Sequence, residues 1–166
     1  MTPSREDRLR EMTERRCQSQ MEAAKAAGLG VDDEIILMLI LDRFITISCA
    51  AIRSVPLHLQ DLMMRMFLDE QETVVAAQER YESVSPENKP RIDEIASASV
   101  RHQGEMLDRE AVAGEERNRV TAAMFMLNVW MMGAHSNMPA SIDPLFSRLA
   151  MEQFRELVEI YGMERN

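Results

Sequence analysis

The sequence predicts an all-α fold, a single-domain helical bundle of about six helices packed around a hydrophobic central helix at residues 32–53. Three observations carry that expectation. Residues 35–52 read IILMLILDRFITISCAAI, which is long and apolar enough to organise a core. Further apolar stripes at helical spacing follow it, separated by proline- or glycine-bearing segments. The chain has 166 residues with 46% hydrophobic content, sufficient for one domain with a substantial core.

Residues 4–27 form the first predicted helix. Ser4 and Asp7 match a capping box, and neither proline nor glycine interrupts the interior. Its apolar stripe of Leu9, Met12, Ala23 and Ala27 is thin and broken by Arg16. The expectation is therefore a polar, peripheral or partner-facing helix. Gly28 and Gly30 are placed to end it.

The 35–52 stretch has a length compatible with a bilayer span. Asp42 and Arg43 in its middle would each cost ~2.5–3.5 kcal/mol on insertion scales. A core helix fits better, with Asp32 as N-cap, Val31 stapled onto Ile36, and Asp33 and Glu34 at the positive end of the dipole. At 100° per residue Asp42, Arg43, Thr46 and Arg53 share one stripe, and Ile35 and Leu39 fall on it. Ile35, Leu39, Asp42 and Arg43 thus make a candidate partner-binding edge on a helix otherwise covered by its neighbours.

Pro56 breaks the chain, and residues 56–81 carry Leu59, Met63, Met66, Phe67, Val74, Ala77 and Tyr81 on one face. Glu70 projects among them. A carboxylate there must be paired, neutralised or functional. SVSPENKPR reads as a linker, with Asn88 as cap for a fourth helix over 89–112 that carries small residues and Val100 on its stripe. Ala113 and Gly114 permit a turn. The fifth helix, 115–135, is apolar almost all round, yet Arg117, Thr121, Asn128 and His135 line one stripe with Met124 beside them. Ser141 or Asp143 caps a last helix whose apolar face runs from Leu149 to Tyr161.

Composition narrows the function. The net charge of −9 disfavours direct nucleic-acid binding; residues 1–27 hold six basic and five acidic side chains, so the rest of the chain carries the acidity. No tight turn and second helix follow the first at helix-turn-helix spacing. Cys17 and Cys49 form no disulfide framework or metal motif, and no secretory signal is visible, so a reducing cytoplasm is expected. None of the three histidines follows a glutamate at the Glu-x-x-His spacing, and His102 with Glu105 is only a two-ligand fragment. Gly28-Leu29-Gly30 lacks the lysine of a phosphate cradle. No cofactor, metal site, membrane association or catalytic centre is expected.

These readings converge on a non-catalytic protein-binding or regulatory protein: an adaptor, an inhibitor or an acidic decoy for a basic partner, self-associating as a homodimer. The alternative is a bundle that takes a small apolar ligand in a methionine-rich cavity. Met38, Phe44, Met124 and Trp130 would line it, and Glu70, Asn128 and His135 would be its polar anchors.

Overall fold

The computed structural model describes the backbone of residues 1–82 and 91–162, and the side chains of 1–73 and 97–162. Six helices run in order: α1 (Arg5–Ala26), α2 (Val31–Arg53), α3 (Leu57–Glu82), α4 (Arg91–Arg109), α5 (Gly114–Asn137) and α6 (Asp143–Gly162). No strand occurs among the described residues, so the chain is an all-α helical bundle. The 83–91 linker apart from Arg91, the Asn88 cap, and the side chains of Val74, Ala77, Tyr81, Ile92, Ile95 and Ala96 lie outside the described residues.

Local sequence explains most of the boundaries. The Ser4 hydroxyl accepts from the Asp7 backbone, and the Asp7 carboxylate accepts from the Ser4 backbone, closing the capping box. Gly28, with φ +74°, ends α1: the Leu29 N–H reaches the Ala24 carbonyl at 3.1 Å and the Gly28 N–H reaches Lys25 at 3.0 Å. That is a Schellman motif, in which glycine takes the left-handed residue without a Cβ penalty.

Three expected caps differ. Helix α2 begins at Val31, with Gly30 in extended geometry before it and no side-chain cap. Asp32 therefore lies inside the first turn with Asp33 and Glu34, where the dipole still favours all three. Val31 is 74% exposed and staples nothing; the half-buried Leu29 packs on the core instead. At α6 neither expected cap is used. The helix opens at Asp143, which binds His135, while the Ser141 hydroxyl donates to Asp33.

Polar contacts fix the directions of the helices. His58 meets Glu116, and Glu70 and Gln71 both meet Asn128, so α3 and α5 run parallel in one register. Asp33–Ser141 and the Leu41 carbonyl–Gln153 bond make α2 and α6 parallel. Arg16–Glu156 and Gln20–Gln153 make α1 antiparallel to α6. The Phe44–Trp130 stack near the middle of α2, with Ser141 beyond α5 touching Asp33, sets α5 antiparallel to α2.

The N-terminal helix is integral to this arrangement. It packs on α6 and α2, buries Met12 and Ala24 completely, and turns Arg16 from an interruption of its stripe into an ion pair with Glu156. Phe44 sits at the centre of the core, with Phe67, Trp130, Phe146 and Phe154 around it at ring-centroid distances of 5.5–6.4 Å. Helix α2 does touch α1, α3, α5 and α6. Among the described residues the helix with the most buried side chains is nevertheless α6, which buries ten between Leu145 and Tyr161.

The expectation that α2 is covered on most sides is overturned. Among the 18 most apolar residues of α2 only 39% are buried, although its length and hydropathy alone would suffice to cross a membrane. Helix α5 buries Val120, Ala123, Met124, Leu127 and Met131 and leaves the opposite side open. The fourth helix also departs from its expected stripe, since Val100 is 64% exposed.

Candidate functional site

Two features stand out: an open apolar face and an internal polar node. The face is built on α2 and α5. On α2 it exposes Val31 (74%), Ile35 (52%), Ile36 (36%) and Leu39 (58%), and on α5 Phe125 (70%), Val129 (49%) and Met132 (69%). Phe125, Val129 and Met132 lie at i, i+4 and i+7 and so share one side of their helix. On α2 the buried arc through Leu37, Leu41 and Phe44 faces the core, which turns Ile35 and Leu39 outward.

Because α2 and α5 are antiparallel neighbours, these two arcs open on the same side of the bundle. Between the helices Ile40, Ile47, Met126 and Trp130 are half-buried, and the antiparallel register set by Phe44–Trp130 and Asp33–Ser141 puts Phe125 to Met132 level with the middle of α2 and Val31 to Leu39 level with the end of α5. At Gly133 a Cβ would meet nothing within 4 Å. The face extends over about 25 Å at 1.5 Å rise per residue. The expected edge of Ile35, Leu39, Asp42 and Arg43 is exposed throughout and occupies its α2 half. Its α5 half escaped sequence reasoning, because a helix apolar on every side gives no periodic signal of which side is open.

The polar node lies between α3 and α5, with Asn128 three residues from Phe125 and four from Met132 on α5. Asn128 Nδ2 donates to Glu70 Oε2 at 2.7 Å, and Gln71 Nε2 donates to Asn128 Oδ1 at 3.1 Å. Glu70 and Asn128 are thus brought together, with Met124 buried one turn away on α5. His135 is two turns further along α5, roughly 10 Å by helical rise. It contacts Asp143 Oδ1 at 2.5 Å and meets the Phe146 ring edge-on at 5.7 Å. It belongs to the α5–α6 junction and not to the node. Trp130 stacks on Phe44 at 5.5 Å, so these two rings fill the space between their helices.

A surface groove of about 240 Å³ lies elsewhere, between α3 and α4, lined by Leu62, Arg65, Leu68, Asp69, Glu72, Met106 and Glu110. None of the expected polar anchors lines it. The remaining titratable contacts are structural in form. His58 pairs with Glu116 at 3.2 Å, and Arg65 pairs with Asp61 at 2.6 Å. Glu156 receives both Arg15 and Arg16, the latter at 2.6 Å from Nε; burial raises its carboxyl, but the two guanidinium hydrogen bonds prevail and hold it below the ordinary carboxylate range. Burial pushes the Cys49 thiol up, beside the Tyr161 hydroxyl, whereas Cys17 is exposed. Among the described residues no three His, Cys, Asp or Glu side chains gather as a metal-binding group.

No family model matches the chain, and neither the curated proteins nor the solved structures contain a match to it.

Proposed function

We propose that the protein is a non-catalytic protein-binding component, adaptor or regulator, whose working surface is the α2–α5 face. The single observation that supports this is the extent of apolar side chain left open on two packed helices. A patch of roughly 300–600 Å² is the largest that a typical monomer exposes, and it is often functional. At about 200 Å² for a large apolar side chain in full, the exposed fractions correspond to roughly 440 Å² on α2 and roughly 380 Å² on α5.

The same surface favours this reading over a small-ligand role. A ligand site is concave and largely encloses its occupant, whereas Leu39, Phe125 and Met132 project from convex helix surfaces. Phe44 and Trp130 occupy one another's faces and leave the interior to side chains. Free cysteines at positions 17 and 49 suit a reducing, cytoplasmic setting.

Site-specific photocrosslinking in the native host tests the reading. A photoreactive phenylalanine analogue at position 39 or 125 should yield protein adducts, while the same probe at the exposed Glu159 on α6 should not. Adducts absent from both face positions, or equally abundant at all three, would overturn it.

A further inference from the structure

We infer that the groove between α3 and α4 is a docking slot for a lysine side chain of a basic protein partner. The groove lies on other helices than the α2–α5 face, so the inference goes beyond the reading above and either can fail without the other. Two observations carry it.

The first is the shape and lining of the groove. Leu62, Arg65, Asp69 and Glu72 follow one another at three- and four-residue spacing and so share one side of α3. They extend over about 15 Å at 1.5 Å rise per residue. Met106 and Glu110 stand one turn apart on α4 and face them across the groove. Leu62 is buried and Leu68 and Met106 are half-buried, which gives an apolar floor, whereas Asp69, Glu72 and Glu110 are exposed and form a carboxylate rim. A long cationic side chain lays its methylene stem on such a floor and keeps its charged head at the water's edge. The volume of about 240 Å³ falls below the roughly 300–1,000 Å³ of pockets that enclose a free ligand. It is a slot for one side chain, open on the side where the rest of a partner segment would lie.

The second is charge. Two of the carboxylates at the groove are already neutralised from within the chain: Arg65 turns to Asp61 at 2.6 Å, and Arg155 of α6 takes Glu72 at 3.0 Å. Asp69 and Glu110 remain, one on each wall, with no ion-pair partner among the described residues. A cation seated between the walls meets both, and the net charge of −9 favours its approach. Two separate carboxylates suit the compact ammonium of lysine, with its three donors, better than the planar guanidinium fork, which pairs best with one carboxylate at a time. A second copy of the chain is a poor source of that group, since it is equally acidic and holds only Lys25 and Lys89.

The test follows the Met106 methyl by NMR in full-length protein labelled at its methionine methyl groups, as acetyl-tetralysine amide is added at low salt. A saturable shift of Met106 is expected, with an apparent affinity that falls about tenfold when sodium chloride is raised to about 0.3 M. Asp69→Asn combined with Glu110→Gln should weaken the affinity about tenfold while helicity by circular dichroism is unchanged, since both side chains are exposed. Asp32→Asn combined with Asp42→Asn removes the same charge from exposed positions on α2 and should alter the affinity by less than about twofold. Tetralysine acetylated on its side chains should leave Met106 unmoved.

A Met106 methyl that does not respond overturns the inference. Equal weakening by the two double variants does so as well, because it reduces the effect to diffuse attraction by net charge. Spermine, a free amine of the same charge as tetralysine, should bind at least about tenfold more weakly; equal affinity would make the groove a free-amine site and overturn the protein source. Photocrosslinking at positions 39 and 125 reports on the other surface alone, so the two failures are distinguishable.

Discussion

Asn128 on α5 gives its amide to the Glu70 carboxylate on α3 at 2.7 Å and takes the Gln71 amide on its carbonyl at 3.1 Å. One side chain thus locks two consecutive residues of a parallel neighbour, and the pair lies twelve residues beyond the His58–Glu116 contact on both helices. A half-buried amide of this kind fixes register, since sliding either helix by one turn orphans three polar groups. Asn128→Ala should destabilise the fold by about 1–3 kcal/mol in urea unfolding, because it leaves Glu70 and the buried Gln71 without partners. Asn128→Asp should cost at least as much by setting two carboxylates together, and adding Glu70→Gln should recover a good part of that loss. Independent, additive effects of the two changes would show that no such lock exists.

Ala111 ends α4 with φ +54°, the single positive-φ residue other than glycine among the described residues. The Val112 N–H bonds the Leu107 carbonyl at 2.9 Å and the Ala111 N–H bonds Asp108 at 3.1 Å, the same Schellman pattern that Gly28 forms after α1. Alanine pays a Cβ penalty in that region that glycine does not. Ala111→Gly should therefore raise stability, by about 0.5–1 kcal/mol in the urea midpoint at unchanged slope. A loss of stability would mean that the greater freedom of glycine in the unfolded chain outweighs the strain relieved.

How much of this was legible in the sequence differs by feature. The helix count, the Ser4–Asp7 box and the role of Gly28 follow from local chemistry alone, and local chemistry is what a single sequence carries best. Glu70 and Asn128 each announced a need for a partner by being polar on an apolar stripe. That they satisfy one another required the parallel α3–α5 pairing, a long-range relation with no local signature. The open side of α5 was hidden for a related reason. A helix apolar all round gives no sign of its open side, and only the placement of its neighbours leaves Phe125, Val129 and Met132 exposed. Arg16 shows the converse: alone it broke a thin stripe, and with Glu156 opposite it anchors α1 to α6.

Acid should loosen that anchor. Burial alone would raise the Glu156 carboxyl, but the Arg15 and Arg16 hydrogen bonds hold it below the ordinary range. With a depressed pKa in the folded state, the unfolded chain takes up the proton first as pH falls. The stabilisation is then complete above the unfolded value of about 4.3 and is lost as pH drops through the folded value. Glu156→Gln should cost only about 1–2 kcal/mol near neutrality, because solvent screens the Arg15 head. The gap between wild type and variant in urea unfolding should stay constant above about pH 5.5 and narrow below about pH 4. A gap that widens on acidification would reverse the sign assigned here.

Leu37 and Leu39 lie two residues apart on α2, one fully buried and the other 58% exposed. The two positions separate what the helix does for the fold from what it offers outside. Leu37→Ala removes side-chain volume from a packed interior and should cost about 2–5 kcal/mol. Leu39→Lys replaces a solvent-facing apolar group on the same helix and should change monomer stability by no more than about 0.5 kcal/mol. If the expected homodimer forms through the face, that small value holds only at low protein concentration. Near 100 μM the wild type gains stability by mass action and Leu39→Lys does not, so the midpoints should diverge as concentration rises. A fixed difference of several kcal/mol at every concentration would instead place Leu39 in the core of one chain, and the open face would lose its α2 half.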